Sequence, residues 1–168
     1  MPVEREKGWP SRRRRVRVGV PSEEARVSDC VFCLIRDGRA PASPVYSDDL
    51  VLAFMDLYPV TPGHVLVVPR EHVVGLGDVD DAVGARMWRT ARRVGEALRG
   101  GAVRCEGVNL FLADGEAAGQ EVFHAHLHVF PRFSGDGFSV QAGWEEAERA
   151  VLDTHAERLR GALGAAGT

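Results

Sequence analysis

The stretch His124-Ala125-His126-Leu127-His128-Val129-Phe130-Pro131-Arg132 sets imidazoles and apolar side chains in strict alternation. A β-strand sends successive side chains to opposite faces, at about 6.6 Å per two residues. Read as part of a strand Val122–Phe130, the stretch puts His124, His126 and His128 on one face and Ala125, Leu127 and Val129 on the other. The apolar row seals one side of a sheet onto a core, and the imidazole row is left for chemistry. Three arrangements use such a row: hydrogen-bonded histidines, a catalytic metal gripped by all three, or a division of labour with one His on a metal and another acting as nucleophile.

Outward from that strand, the pattern predicts an α+β fold with an antiparallel-rich sheet. The segment VFCLIRDG reads as a short helix stopped at Gly38. Val45-Tyr46 opens a strand, Ser47-Asp48-Asp49 turns, and Leu50–Met55 returns as a second strand. Val65–Val68 is a buried strand between Pro62-Gly63 and Pro69. Asp78–Arg99 is the long helix, with Val83, Met87, Val94 and Leu98 on one face beside Ala91 and Gly95, and with Asp78 or Asp80 as its cap. Val108–Leu112 forms a further strand, and Trp144–Leu163 a terminal helix.

Length and composition bound the rest. The chain has 168 residues, 45% hydrophobic and 27% charged, with a formal net charge of −3. That suits one core-forming domain and gives no global attraction to nucleic acid or anionic membrane. Residues 1–27, with the run Arg12–Arg15, read as a flexible Arg-rich arm, and 28–168 as the folded domain. No apolar stretch approaches the roughly 20 residues of a bilayer span, and MPVEREKGWPSRRRR is no secretory leader. A cytoplasmic location is expected, and the three cysteines fit a reduced compartment better than a disulfide framework.

Cys30-Val31-Phe32-Cys33 has zinc-ligand spacing, but one C-x-x-C is half of a tetrahedral site. No second pair exists, so the other ligands should be histidines, with His72 in VPREH and His124 at the head of the row as candidates. Two thiolates, two neutral imidazoles and Zn²⁺ sum to zero charge, which suits burial.

Taken together, CVFCLIRDG, VLAFMDLYPVTPGHVLVVPREH and GEAAGQEVFHAHLHVFPR resemble the histidine triad (HIT) family of nucleotide-binding hydrolases and transferases over roughly residues 29–134. The resemblance implies a sheet with a long helix packed on it, often paired into a homodimer, and a purine nucleotide or nucleotide conjugate as substrate. It implies structural zinc on Cys30, Cys33, His72 and His124. His126 would be the nucleophile and His128 a support for the transferring phosphate. Gly119 and Gln120 would belong to the phosphate loop, Phe32 and Phe54 to the base pocket, and Asp56 would accept ribose hydroxyls. His64 could touch the nucleophile's surroundings or make a structural hydrogen bond, and Arg132 could reach a distal phosphate or be solvated.

The activity so implied is hydrolysis of a phosphoanhydride or phosphoramidate through a nucleotidyl-histidine intermediate. Nucleotidyl transfer, a hydrolase with its ion on the triad, and a non-catalytic nucleotide-binding module are the alternatives. Two positions depart from the family pattern: Glu121 stands where a Ser or Thr is usual, and Ala113 where an Asn or Gln is usual. An unscreened carboxylate near a phosphate would cost on the order of 1–4 kcal/mol.

Overall fold

The computed structural model describes residues 30–166. The Arg-rich segment 1–27 lies outside the described residues. The described chain divides into two compact units, one reaching Asp136 and the other starting at Gly137. Among the described residues, no helix is long and apolar enough to cross a membrane.

The first unit opens with helix α1 (Val31–Arg36). Strands β1 (Pro44–Ser47), β2 (Val51–Met55) and β3 (Val65–Pro69) follow, then helix α2 (Asp81–Ala97) and strands β4 (Gly107–Phe111) and β5 (Leu127–Arg132). The five strands form one sheet in the order β1-β2-β3-β5-β4, antiparallel at every pairing. This is an α+β fold with the long helix packed on the sheet.

Strand alternation divides the core into two. Val51, Ala53, Val65, Val67 and Val129 face α2, where they meet Met87, Ala91 and Leu98. Leu52, Phe54, Leu66 and Val68 point the other way and pack with Cys30, Phe32 and Cys33 around α1. The α2 face therefore carries the larger apolar cluster, and the opposite face carries the chemistry. Asp80 caps α2, its carboxylate accepting the Ala82 N–H at 2.8 Å, while Asp78 accepts from Gly75 N–H instead.

Two boundaries differ from the sequence pattern by about five residues, the others by three or fewer. The strand expected over Val122–Phe130 enters the sheet only at Leu127, so His124 and His126 precede the ladder. The pairing Val67↔Leu127 would next bring Pro69 opposite Ala125, and proline has no N–H to extend a ladder. The Ala125 N–H goes instead to the Val73 carbonyl at 2.7 Å. In the second unit, the terminal helix α3 spans Arg149–Ala166 rather than starting at Trp144. A tight turn closed by Trp144 N–H on the Ala142 carbonyl leads into this segment. Glu145 and Glu148, like charges three apart, give it little helical support.

Candidate active site and metal centre

Helix α1 brings its two cysteines together because a turn separates them: Leu34 N–H bonds to the Cys30 carbonyl at 3.0 Å. His72 arrives from the chain just after β3, and His124 from the segment leading into β5. The Cys30 Sγ lies 3.4 Å from His124 Nδ1, Cys33 Sγ 3.7 Å from the same nitrogen, and Cys33 Sγ 3.3 Å from His72 Nδ1. All four ligand atoms fall within 4.8 Å of one another. Metal–sulfur bonds of about 2.3 Å and metal–nitrogen bonds of about 2.1 Å around a tetrahedron give S···N edges of about 3.6 Å, so the quartet has the dimensions of a zinc site.

The protons agree with the distances. His124 Nε2–H donates to the Pro69 carbonyl at 2.9 Å, which leaves Nδ1 as a lone pair facing the sulfurs. Burial, with Cys30 beside it, pushes the Cys33 thiol up to about 11. A divalent cation reverses that preference by favouring thiolate, so the donor set fits Zn²⁺.

The triad itself is held by different groups. His126 is 6% exposed, and its Nδ1–H donates to the His124 carbonyl at 2.7 Å. Burial lowers the His126 pKa, and the neutral ring then carries its free lone pair on Nε2. His128 sits beside it, ring centroids 4.8 Å apart. The tautomer of His128 is set from the far side. Val60 N–H donates to His64 Nδ1 at 3.1 Å, so the neutral His64 carries its hydrogen on Nε2. That Nε2–H donates to His128 Nδ1 at 2.9 Å, and His128 is left with an N–H on Nε2. Burial, then the neighbouring His126 and His64, hold His128 down to about 4, so it stays neutral at physiological pH. The Asp56 carboxylate stands 3.3 Å from His64 Nδ1 and accepts the Tyr58 N–H at 2.8 Å.

The remaining predicted residues fall into distinct places. Phe32 meets Phe54 edge-to-face at 5.5 Å and also edges onto His124 and His126 at 5.7 and 5.3 Å. Both phenylalanines belong to the apolar cluster under α1, and Phe32 is also a wall of the triad. Gly119 takes a left-handed conformation, φ 89°. Its N–H goes to the Glu116 carbonyl, and the Gln120 N–H to that of Gly115. The Gln120 amide accepts from Gly115 N–H at 2.8 Å and donates to the carbonyls of Val74 and Val122 at 2.7 and 3.2 Å. The Gly119-Gln120 pair is thus a brace for the loop, with its own donors already used. The N–H groups of Glu121, Val122 and Phe123, just beyond it, have no acceptor among the described residues.

Ala113 is buried and Glu121 exposed. Arg132 donates to Asp136 through both Nε and Nη2, at 2.5 and 3.0 Å, and to Asn109 at 2.8 Å. His64 is the residue that sequence reasoning left ambiguous and the structure brings into the site. One signal could have placed it: two residues before Leu66, it shares the face opposite the α2 core.

With this geometry in place, the likeness to known proteins has a physical basis. The HIT domain model matches residues 37–135. An uncharacterized HIT-like protein of Borreliella burgdorferi is 46% identical over 116 residues, covering 68% of this chain and 84% of that one. The adenylylsulfatase HINT3 of Arabidopsis thaliana is 36% identical over 109 residues, 65% of this chain and 55% of that protein. The crystal structure of a zinc-bound histidine triad family protein from Mycobacterium smegmatis superposes with a TM-score of 0.64 at 37% identity, over 81% of this chain and 99% of the other. A row of three histidines running into an antiparallel sheet, inside a matched segment that exceeds half the chain, places this protein in the HIT family.

Proposed function

We propose that the protein hydrolyses a purine nucleotide phosphoanhydride or phosphoramidate, with His126 as the nucleophile. The observation that carries this reading is the His126 tautomer: the His124 carbonyl takes the Nδ1 proton and leaves Nε2 bare. An imidazole with its pKa lowered by burial is unprotonated and nucleophilic at neutral pH.

In the first step Nε2 bonds to the α-phosphorus while the bond from phosphorus to the leaving group breaks, and that group takes the electron pair. An acidic leaving group departs as its anion, and an amine takes a proton from solvent. The His128 Nε2–H faces the charge that builds on the phosphoryl oxygens, and the unclaimed N–H groups of residues 121–123 are the backbone donors for it. In the second step water attacks phosphorus, the P–N bond breaks back onto His126, and a proton leaves to solvent. The products are a nucleoside monophosphate and a neutral His126. Phe32 and Phe54 border the base, and Asp56 is placed to accept a ribose hydroxyl. Zinc bound at Cys30, Cys33, His72 and His124 would supply cross-linking of three chain segments and no reaction step.

Support for a hydrolytic outcome comes from the relative named adenylylsulfatase. Glu121 and Ala113 stand where the family pattern has neutral donors, which favours the phosphoramidate, with its amine leaving group, over the anhydride. We also propose that two copies pair through the β4 edge of the sheet, where Phe111 and the adjacent α2 side chain Trp88 are 47% and 59% exposed. The expected location is cytoplasmic.

The deciding experiment uses an adenosine phosphoramidate labelled at the α-phosphate, quenched during turnover. Labelled protein that is lost in His126→Ala and survives moderate chelation supports the scheme. Absence of label with complete chelator sensitivity would indicate an ion on the triad. Saturable binding with no turnover of any nucleotide tested would indicate a binding module.

A further inference from the structure

On the face of the sheet opposite the triad there is a cavity of about 340 Å³, within the first unit and separate from every residue of the proposed site. Its walls are Val45 of β1, Met55 of β2, Val65 of β3, Val94 of α2, Leu98 just after that helix, and Val103. Helix α2 reaches it with Thr90, Arg93, Val94 and Ala97, one continuous face at helical spacing. It is an open cleft: Val65, Thr90 and Leu98 at its base are buried, while Val45, Arg93, Ala97 and Ala102 at its mouth are exposed. The volume lies within the range of small-molecule pockets, which are mostly apolar with a few placed polar groups.

The polar groups lie at the rim. The Arg93 guanidinium sits 4.9 Å over the Tyr46 ring and makes no ion pair with a carboxylate among the described residues. Its acidic neighbour near Tyr46 is already engaged: Asp48 accepts the Tyr46 hydroxyl at 2.8 Å, two backbone N–H groups, and the charge of Arg86 at 3.3 Å. Among the described residues no carboxylate pairs with Arg93 at the rim of this apolar cleft, and that charge pattern complements an amphipathic anion.

We infer that the cavity walled by Met55, Val65, Val94 and Leu98, with Arg93 at its rim, is a binding site for a small molecule with an apolar body and one anionic group, such as a medium-chain carboxylate. The occupant would lie one strand thickness from the catalytic network, since Met55 and Gly63 line the cavity while Asp56 and His64, the next residues, belong to the other face. This inference does not depend on the proposed reaction.

The test is titration calorimetry of the full chain with decanoate below its micelle concentration, with decanol as the uncharged analogue. Saturable binding of one decanoate per chain is expected. Arg93→Gln should weaken decanoate roughly fivefold and leave decanol within about twofold, the size of effect expected for a part-exposed charge pair. Ala97→Phe, a substitution at an exposed rim position, should block both ligands while leaving the melting temperature near that of the unmodified chain. Amide shifts on binding should centre on Val45, Met55 and Gly63. Three results would each overturn the site: no saturable binding, affinity indifferent to both substitutions, or shifts centred on the exposed Leu57 and Tyr58.

Discussion

Replacing His64 by Ala removes the N–H that holds the hydrogen of His128 on Nε2. The rings of the triad remain, but His128 is freed to present a lone pair where, in the proposed reaction, the phosphoryl oxygens need a donor. With an adenylyl phosphoramidate, His64→Ala is expected to lower kcat about 10²-fold with little change in KM, because the lost interaction belongs to the transition state. His64→Gln should recover part of that loss, since an amide N–H can still donate to His128 Nδ1. A purely packing role would instead give equal losses in both variants. His128 also makes stability depend on pH. Its folded pKa is held to about 4, against an ordinary 6.5, so between those values the unfolded chain binds a proton that the folded chain refuses. Folding stability therefore rises with pH from about 4 to 6.5 and levels off above. Urea midpoints taken across that window should climb, and the climb should be shallower in His128→Asn.

At the scale of elements, the quartet Cys30, Cys33, His72 and His124 brings α1, the chain after β3 and the segment before β5 to one point, which a bound zinc ion would tie together. Cys30→Ala removes a ligand that is also an anchor of the apolar cluster under α1. Metal content and melting temperature should fall, with turnover per folded molecule falling less. Zinc stoichiometry by elemental analysis, alongside the melt, is the check, and unchanged stoichiometry would count against the assignment. The same elements show what was legible in the chain and what was not. Short apolar runs bounded by turn residues identified β2 and β3, which are buried on both faces, and alternation identified the apolar side of β5. The start of β5 was not legible from its own residues. It depends on Pro69 across the sheet, whose missing N–H ends the ladder and whose carbonyl then serves His124. A helix cap was readable to within two residues, and only the hydrogen bond to Ala82 chose Asp80 over Asp78.

For the whole molecule, the sheet ends at β4 on one side, and its neighbour α2 leaves Trp88 largely exposed. If two copies pair there, sedimentation should give twice the chain mass. Trp88→Glu combined with Phe111→Lys should shift the species to the monomer and make the melting temperature independent of concentration. A monomer in the unmodified chain at micromolar concentration would exclude the pairing.

The cysteines and histidines available for chemistry and their order along the chain were determined by the sequence alone, since side-chain type and spacing are local properties. Which nitrogen of each histidine carries a proton was decided only in the tertiary structure. Those choices rest with backbone groups: the carbonyls of Pro69 and His124 and the N–H of Val60. Every residue carries the same carbonyl, and every residue but proline the same N–H, so nothing in the order of side chains distinguishes them until folding sets their positions.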